Sequence, residues 1–346
     1  MKKTTTDSTF IPFDDDKEES IQQKIDKALK EKYIPEENPW ITPNTLKAGY
    51  AFVRLHNEII DYVQYIQQSE EQKKVRKDLF RWVENVILSV FEDAKVKMFG
   101  SSATGLDLPS SDIDIVVFKE GVPIKTLIKS IENAFNSQEK RIKGMEVLLH
   151  TKVPLIKILE SYSNINIDIS FNTDDGCKAV PVLQDIIEKF PHFKYLVFVM
   201  KTFLKIRGLN ETYTGGVGSF LLLLMVFAYL QYEYKERDYY ISNLTLSEAL
   251  LGFLEFYGSK FNHERLSISV AGEGCFLDKS LVEGAGEFSL LNPLDPTIDI
   301  GKSAHRIHKV FRAFEKAKEN LMYVKDQHCS LLQKFFGSVM WNSDDK

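Results

Sequence analysis

The chain has 346 residues, 44% hydrophobic and 27% charged, with a formal net charge of −5, enough to bury substantial cores in one large domain or two. An acidic balance excludes a nucleic-acid binder that grips by overall positive charge, so any hold on RNA or DNA must come from local patches or a partner. No stretch approaches the roughly 18 uninterrupted apolar residues of a membrane span, and three scattered cysteines, Cys177, Cys275 and Cys329, support neither a disulfide framework nor a cysteine zinc site.

In chain order, residues 1–37 are polar and charged and read as a flexible arm, with a short helix expected in ESIQQKIDKALKEKY. The two lysines after Met1 lack an apolar run behind them, so no secretory signal is expected and the protein is placed inside the cell. After the turn-like NPWITPN, Leu46 to Gln67 carries Phe52, Leu55, Ile59, Ile60, Val63 and Ile66 at helical spacing, and Glu71 to Phe91 repeats the pattern. The period then changes to two. Strands are expected at Val96–Phe99, Ile113–Phe118, Val153–Leu159 and Ile165–Phe171, with a helix at Ile124–Phe135. From Pro181 helices return, at Lys194–Ile206, Gly218–Tyr232, Leu246–Tyr257 and His305–Asn320, and the apolar run Phe220–Leu230 reads as a buried helix. The fold class is α+β, a small mixed module enclosed in sequence by helices.

The chemistry concentrates in FGSSATGLDLPSSDIDIVVF, residues 99–118. Residues two apart on a strand face the same way, so Asp112 and Asp114 project together while Ile113 and Ile115 point into the core. Paired carboxylates suit a hard divalent cation. Upstream, Gly100 permits a tight turn and Ser101 and Ser102 add hydroxyls, together a cradle for phosphate. In INIDISF the alternation puts Asn166, Asp168 and Ser170 on one face, where Asp168 would complete a two-cation site for nucleotidyl transfer. Lys201 and Lys205 share one helix face and can neutralise phosphate charge. Ser219 follows the glycine-rich YTGGVG at a helix start, and Phe220 beside it could stack on a base. His305 and His308 are read as surface or core residues.

These strings resemble the catalytic signature of the DNA-polymerase-β-like nucleotidyltransferases. The chain is most similar to non-canonical poly(A) polymerases of the nuclear group that tags RNA for exosome decay. NPWITPN with LHNEIIDYVQYI, VPLIKILESYSNINIDISF, LVFVMKTFLKIRGLNETYTGGVGSFLLLLMVFAYL and NPLDPTIDIGKSAHRIHKVFRAF extend the likeness over roughly residues 38–320. The resemblance implies a nucleotidyltransferase domain, 70–178, set into a helical central (PAP-associated) domain made of 38–69 and 179–346. It implies magnesium or manganese held by Asp112, Asp114 and Asp168, with Asp168 serving the cation that activates the RNA 3′-hydroxyl. ATP would be gripped by Gly100, Ser101, Lys201, Lys205, Ser219 and Phe220, and its base read by Asn292 and Asp295.

Uridine-selective relatives carry a histidine where this chain has Ile298, so the resemblance favours ATP, with UTP as the alternative substrate. The sequence lacks an RNA-recognition motif, a zinc knuckle and an arginine-glycine tract. EEQKKVRKD and GKSAHRIHKVFRAFEKAK offer local positive surfaces for the RNA 3′ end. By resemblance, a zinc-knuckle RNA-binding partner and an RNA helicase of a TRAMP-like complex are expected, the helicase through the arm containing FIPFDDDKEE, and the nucleus is the expected compartment. A non-catalytic scaffold of this fold would be expected to have lost a metal aspartate. A small-molecule nucleotidyltransferase would not be expected to carry the long segment after residue 290.

Overall fold

The computed structural model describes residues 39–149, 151, 153–237, 244–322 and 330–337. The expected arm, with its short helix and FIPFDDDKEE, lies outside the described residues, as does Cys329.

Two helices open the described chain, the single turn α1 (Pro43–Leu46) and α2 (Ala51–Ile66). The sequence pattern runs through them as one, but Phe52 stays 51% exposed while Leu55, Ile59, Val63 and Ile66 are buried. α3 (Glu70–Leu88) starts at a capping box in which Ser69 and Gln72 satisfy each other's backbone N–H groups.

A five-stranded sheet follows: β1 (Lys95–Phe99), β2 (Ile113–Phe118), β3 (Ile142–Leu148), β4 (Leu155–Glu160) and β5 (Asn166–Phe171), in the order β1-β2-β5-β4-β3. Only the β2–β5 pair is parallel. The short α4 (Gly100–Thr104) follows β1, and α5 (Ile124–Asn136) crosses over after β2. Ile113, Ile115, Val117, Ile156, Ile158, Ile167 and Ile169 form one apolar face, packed with Leu79, Val83 and Ile87 of α3 and Leu127, Ile128, Ile131 and Phe135 of α5 into a single core. Edge strand β3 does not show in the period-two pattern, because its Lys143, Gly144 and Glu146 are exposed.

The helices of the second half are α6 (Asp175–Lys189), α7 (Phe193–Ile206), α8 (Ser219–Arg237), α9 (Leu246–Glu255), α10 (Ile307–Met322) and α11 (Leu331–Gly337). α6 starts six residues before Pro181, which the helix accommodates. The hairpin β6 (Leu266–Ser269) and β7 (Cys275–Asp278), together with α11, goes beyond the sequence reading. Residues Leu221–Leu230 are all buried.

These helices build a second, larger core that also takes in Trp40 and α2. Chain ends far apart in sequence meet there. The Glu58 carboxylate accepts from Trp40 Nε1 (3.1 Å), Ser330 Oγ and Leu331 N (2.9 Å), and burial pushes it above the usual carboxylate range despite these bonds. Leu106 and Leu108, from the loop between α4 and β2, also belong to this second core. That loop therefore ties the sheet module to the helices. Among the described residues no helix is long and apolar enough to cross a membrane.

Candidate active site

A cleft of about 800 Å³ opens between the sheet module and the helices. Its lining includes Phe99, Gly100, Ser101, Asp112 and Asp114 on one wall, and Lys201, Lys205, Ser219, Phe220, Asn292 and Ile298 on the other.

On the acidic wall, sheet register does the placing. Asp114 pairs with Phe99 across β1 and with Asp168 across the parallel β5, and Asp168 pairs with Lys157 across β4. Paired residues share a face, so Asp114, Asp168 and Lys157 form one row. Asp112 stands one residue before β2, where its Oδ1 accepts from Asn166 Nδ2 at 3.2 Å. Gly100 has φ +66°, and a Cβ there would lie 2.3 Å from Asp114 Oδ2, so only glycine lets backbone and carboxylate approach this closely.

The loop leading to Asp112 is clamped from both sides. Arg76 of α3 donates to the carbonyls of Leu108 (3.4 Å), Pro109 (3.2 Å), Ser111 and Asp112 (3.5 Å), and pairs with Asp107 at 3.7 Å. Its side chain is 5% exposed. EEQKKVRKD is thus not a uniformly solvated positive surface, because its one arginine is buried against the loop. From the helical wall, Lys201 Nζ donates to Leu106 O (2.8 Å) and Lys205 Nζ to Ser110 Oγ (3.0 Å).

The charges strain against each other. Burial, then the neighbouring Asp168 and Asp112, raises the Asp114 carboxyl to about 6. Asp112 is raised as well, mainly by burial. Desolvation pulls Lys201 down to about 8, although Asp107 and Asp114 favour its ammonium. The donors suit a hard divalent cation, being all oxygen and crowded with like charge, and Asp168 Oδ1 is buried without a hydrogen-bond partner. Among the described residues no three carboxylate, imidazole or thiol groups already converge as a metal cage. Asp168 Oδ2 is bound by Lys157 Nζ at 2.7 Å instead, and Asp112 by Asn166.

On the helical wall, Leu209 and Glu211 carbonyls accept from Val217 and Gly216 N–H, folding YTGGVG so tightly that a Cβ on Gly216 would lie 2.4 Å from Leu209 O. This delivers Ser219 and Phe220 to the cleft. In the 292–300 segment, Asn292 N donates to Ile298 O (2.9 Å) and Ile298 N to Asp295 O (3.0 Å), while Asp299 accepts from Gly286 N and Leu290 N, both at 3.0 Å. The cleft lining includes Asn292 and Ile298 but neither Asp295 nor Asp168. Asp295 Oδ1 caps its own turn, accepting from Thr297 N (3.0 Å) and Oγ1 (2.6 Å). Asp168 sits beside Asp114 along the sheet row. Lys157 and Arg76 join this site without a mark in the motif pattern, whereas Asn166 already shares the face of Asp168 in the strand alternation.

The chain is 33% identical over 316 residues to the Drosophila melanogaster "Inactive non-canonical poly(A) RNA polymerase protein Trf4-2", covering 88% of this chain and 77% of that one. It belongs to the non-canonical poly(A) RNA polymerase family. A family model described as "Poly(A) RNA polymerase, mitochondrial-like, central palm domain" matches residues 55–186. A Saccharomyces cerevisiae "Poly(A) RNA polymerase protein 1" is 32% identical over 277 residues, 78% of this chain but only 43% of that protein. Among solved structures, the "polymerase core of TRAMP, a RNA surveillance complex" superposes with a TM-score of 0.75 at 27% identity, covering 86% of this chain and 98% of that one. Its α+β polymerase-β-like nucleotidyltransferase fold is the fold of this chain. The family names include both poly(A) polymerases and one protein called inactive, so membership gives the scaffold and leaves turnover to the residues of the site.

Proposed function

We propose that this chain is a template-independent RNA 3′-end adenylyltransferase that uses ATP and two divalent cations. The observation that carries the reading is Asp112 and Asp114 facing a cationic and aromatic wall across one cleft, with Asp168 paired beside Asp114 on the neighbouring strand. In this reading the three aspartates hold magnesium or manganese. Such ions neutralise the transferring phosphoryl group and ease deprotonation of the attacking 3′-hydroxyl. Lys201 and Lys205 neutralise the triphosphate, and Ser101 and Ser219 donate hydroxyl hydrogen bonds to it beside Gly100. Phe220 stacks on the base, Asn292 meets its polar edge, and Asp295 acts by fixing the turn that shapes this end of the cleft. The two cores support a nucleotidyltransferase domain at 70–178 inserted between central-domain segments 38–69 and 179–346.

By its likeness to the TRAMP polymerase core, the substrate is RNA destined for exosome decay or processing, the compartment is the nucleus, and a zinc-knuckle RNA-binding protein and an RNA helicase are the partners. Primer extension on a short RNA with each NTP separately, magnesium, and Asp114→Ala as control tests the reading, with and without a zinc-knuckle partner. ATP-dependent tails lost in the variant are expected. UTP preference would move the chain to uridylyl transfer, and no extension in any arm would make it a non-catalytic scaffold, without turnover like the relative named inactive.

A further inference from the structure

Lys157 occupies a position that the proposed reaction leaves unexplained. Sheet register sets it directly between two carboxylates, with Asp168 opposite on β5 and Glu146 opposite on β3. We infer that the Lys157 ammonium is a resident counter-ion that holds Asp168 until a divalent cation enters, and then withdraws toward Glu146. This rests on the reading of Asp112, Asp114 and Asp168 as the cation site.

Three observations support it. First, Nζ lies 2.7 Å from Asp168 Oδ2 while Oδ1 is buried without a partner, so the ammonium already holds one of the two oxygens a cation would use. A divalent ion and an ammonium on one carboxylate repel at short range, so a stronger hold by either weakens the other. Second, Asp114 and Asp168 are directly opposite on neighbouring strands, a spacing of about 4.8 Å. Like charges there need a counter-charge whenever no cation is present. Third, the Lys157 side chain is 43% exposed, and Glu146, an exposed residue, offers a resting place one strand away. Two other cations lie near the aspartates and neither can play this part: Arg76 is 5% exposed and fixed by loop carbonyls, and Lys201, on the helical wall, is held by Leu106 O at 2.8 Å. Lysine suits the role better than arginine, because a point charge on a flexible stem leaves a carboxylate more readily than a planar two-pronged donor.

The test uses the full chain without nucleotide and Mn²⁺ as the probe, with free Mn²⁺ read by electron paramagnetic resonance. Wild-type binding should be lost in Asp114→Ala. Lys157→Met should bind Mn²⁺ about three- to tenfold more tightly, as removal of a half-exposed like charge predicts. Lys157→Arg should bind more weakly, and Glu146→Gln about twofold more weakly through loss of the resting site. In primer extension, Lys157→Met should lower the half-saturating metal concentration with the KM for ATP unchanged. A Lys157→Met protein that melts like wild type yet binds Mn²⁺ no more tightly overturns the inference while the cation site stands. Should that variant fail to fold, Lys157→Arg decides, and unchanged or tighter binding overturns it. Mn²⁺ binding indifferent to Asp114→Ala overturns the cation-site reading and the inference with it.

Discussion

The two walls of the cleft are built by different means. The acidic wall is a product of sheet register: once β2 and β5 pair in parallel, Asp114 and Asp168 must stand side by side, and few contacts beyond the sheet are needed to put them there. The helical wall has no such repeat. Lys201 and Lys205 come from α7, Ser219 and Phe220 from the start of α8, and Asn292 and Ile298 from a hydrogen-bonded loop, so their meeting depends on how the larger core packs. The loop carrying Leu106 and Leu108 is where the two constructions are joined. Damage on the acidic wall should therefore remove chemistry and leave the fold. Damage at the loop should cost both, and damage on the helical wall should alter binding and selectivity.

The largest effect is expected at Asp114. Asp114→Asn should lower transfer by about a thousandfold or more, as loss of a charged cation ligand does, while raising the stability of the cation-free protein at neutral pH. A carboxyl raised from its usual 3.8 to about 6 binds protons more tightly folded than unfolded. Wild-type stability therefore falls as pH rises from about 4 to about 6, and the variant lacks that loss. Melting curves at pH 4 and pH 7 without metal check this; a variant less stable than wild type at pH 7 would contradict it.

Next comes Arg76→Met, which removes the donor shared by four loop carbonyls and breaks the ion pair with Asp107. A loss on the order of 3–5 kcal/mol is expected, as for breaking a buried charge pair, together with lower activity. Arg76→Lys should recover part of the stability. Urea unfolding of the two variants would show it, and an Arg76→Met protein as stable as wild type would remove the loop from its joining role.

The acidic wall was legible because it is local. The alternation in SSDIDIVVF and INIDISF fixes which side chains face together, and the glycine ahead of Ser101 announces a turn. The same alternation contained Lys157. Leu155, Lys157 and Leu159 share the face opposite buried Ile156 and Ile158, and a lysine there, on the same kind of strand as Asp168, was a signal available to be read. Arg76 was hidden by its neighbours: a lysine-rich stretch suggests solvent, yet the spacing 76, 79, 83, 86 puts the arginine on the buried face of α3. No local pattern could reveal which partner each strand chooses, that Leu106 and Leu108 cross into the other core, or that Asp295 spends its carboxylate on its own turn.

On the helical wall the effects should be smaller and confined to binding. Lys201, lowered to about 8 by desolvation, carries its charge below that pH and loses it above. The KM for ATP should therefore rise as pH increases through about 8. Lys201→Met should raise that KM about tenfold at pH 7, the worth of one charge-assisted contact, and flatten the dependence. A pH profile in the variant that still breaks near 8 would assign the titration elsewhere.

The smallest change is expected at Ile298, and it isolates selectivity from everything else. The backbone of this residue is held at both ends, its N–H by Asp295 O and its carbonyl by Asn292 N, so a new side chain should leave the loop in place. The side chain itself is 43% exposed and lines the cleft, which limits the stability cost of replacing it. Ile298→His should then act only by shape and polarity at the base, narrowing the space open to a purine. The expected result is a shift of about three- to tenfold in the ratio of kcat/KM for ATP over UTP, the scale on which one pocket contact discriminates, with the melting temperature unchanged. A shift in the ratio without a change in the metal requirement would separate the two walls functionally. An unchanged ratio would mean that base choice is made by Asn292 and Phe220 rather than by this side chain.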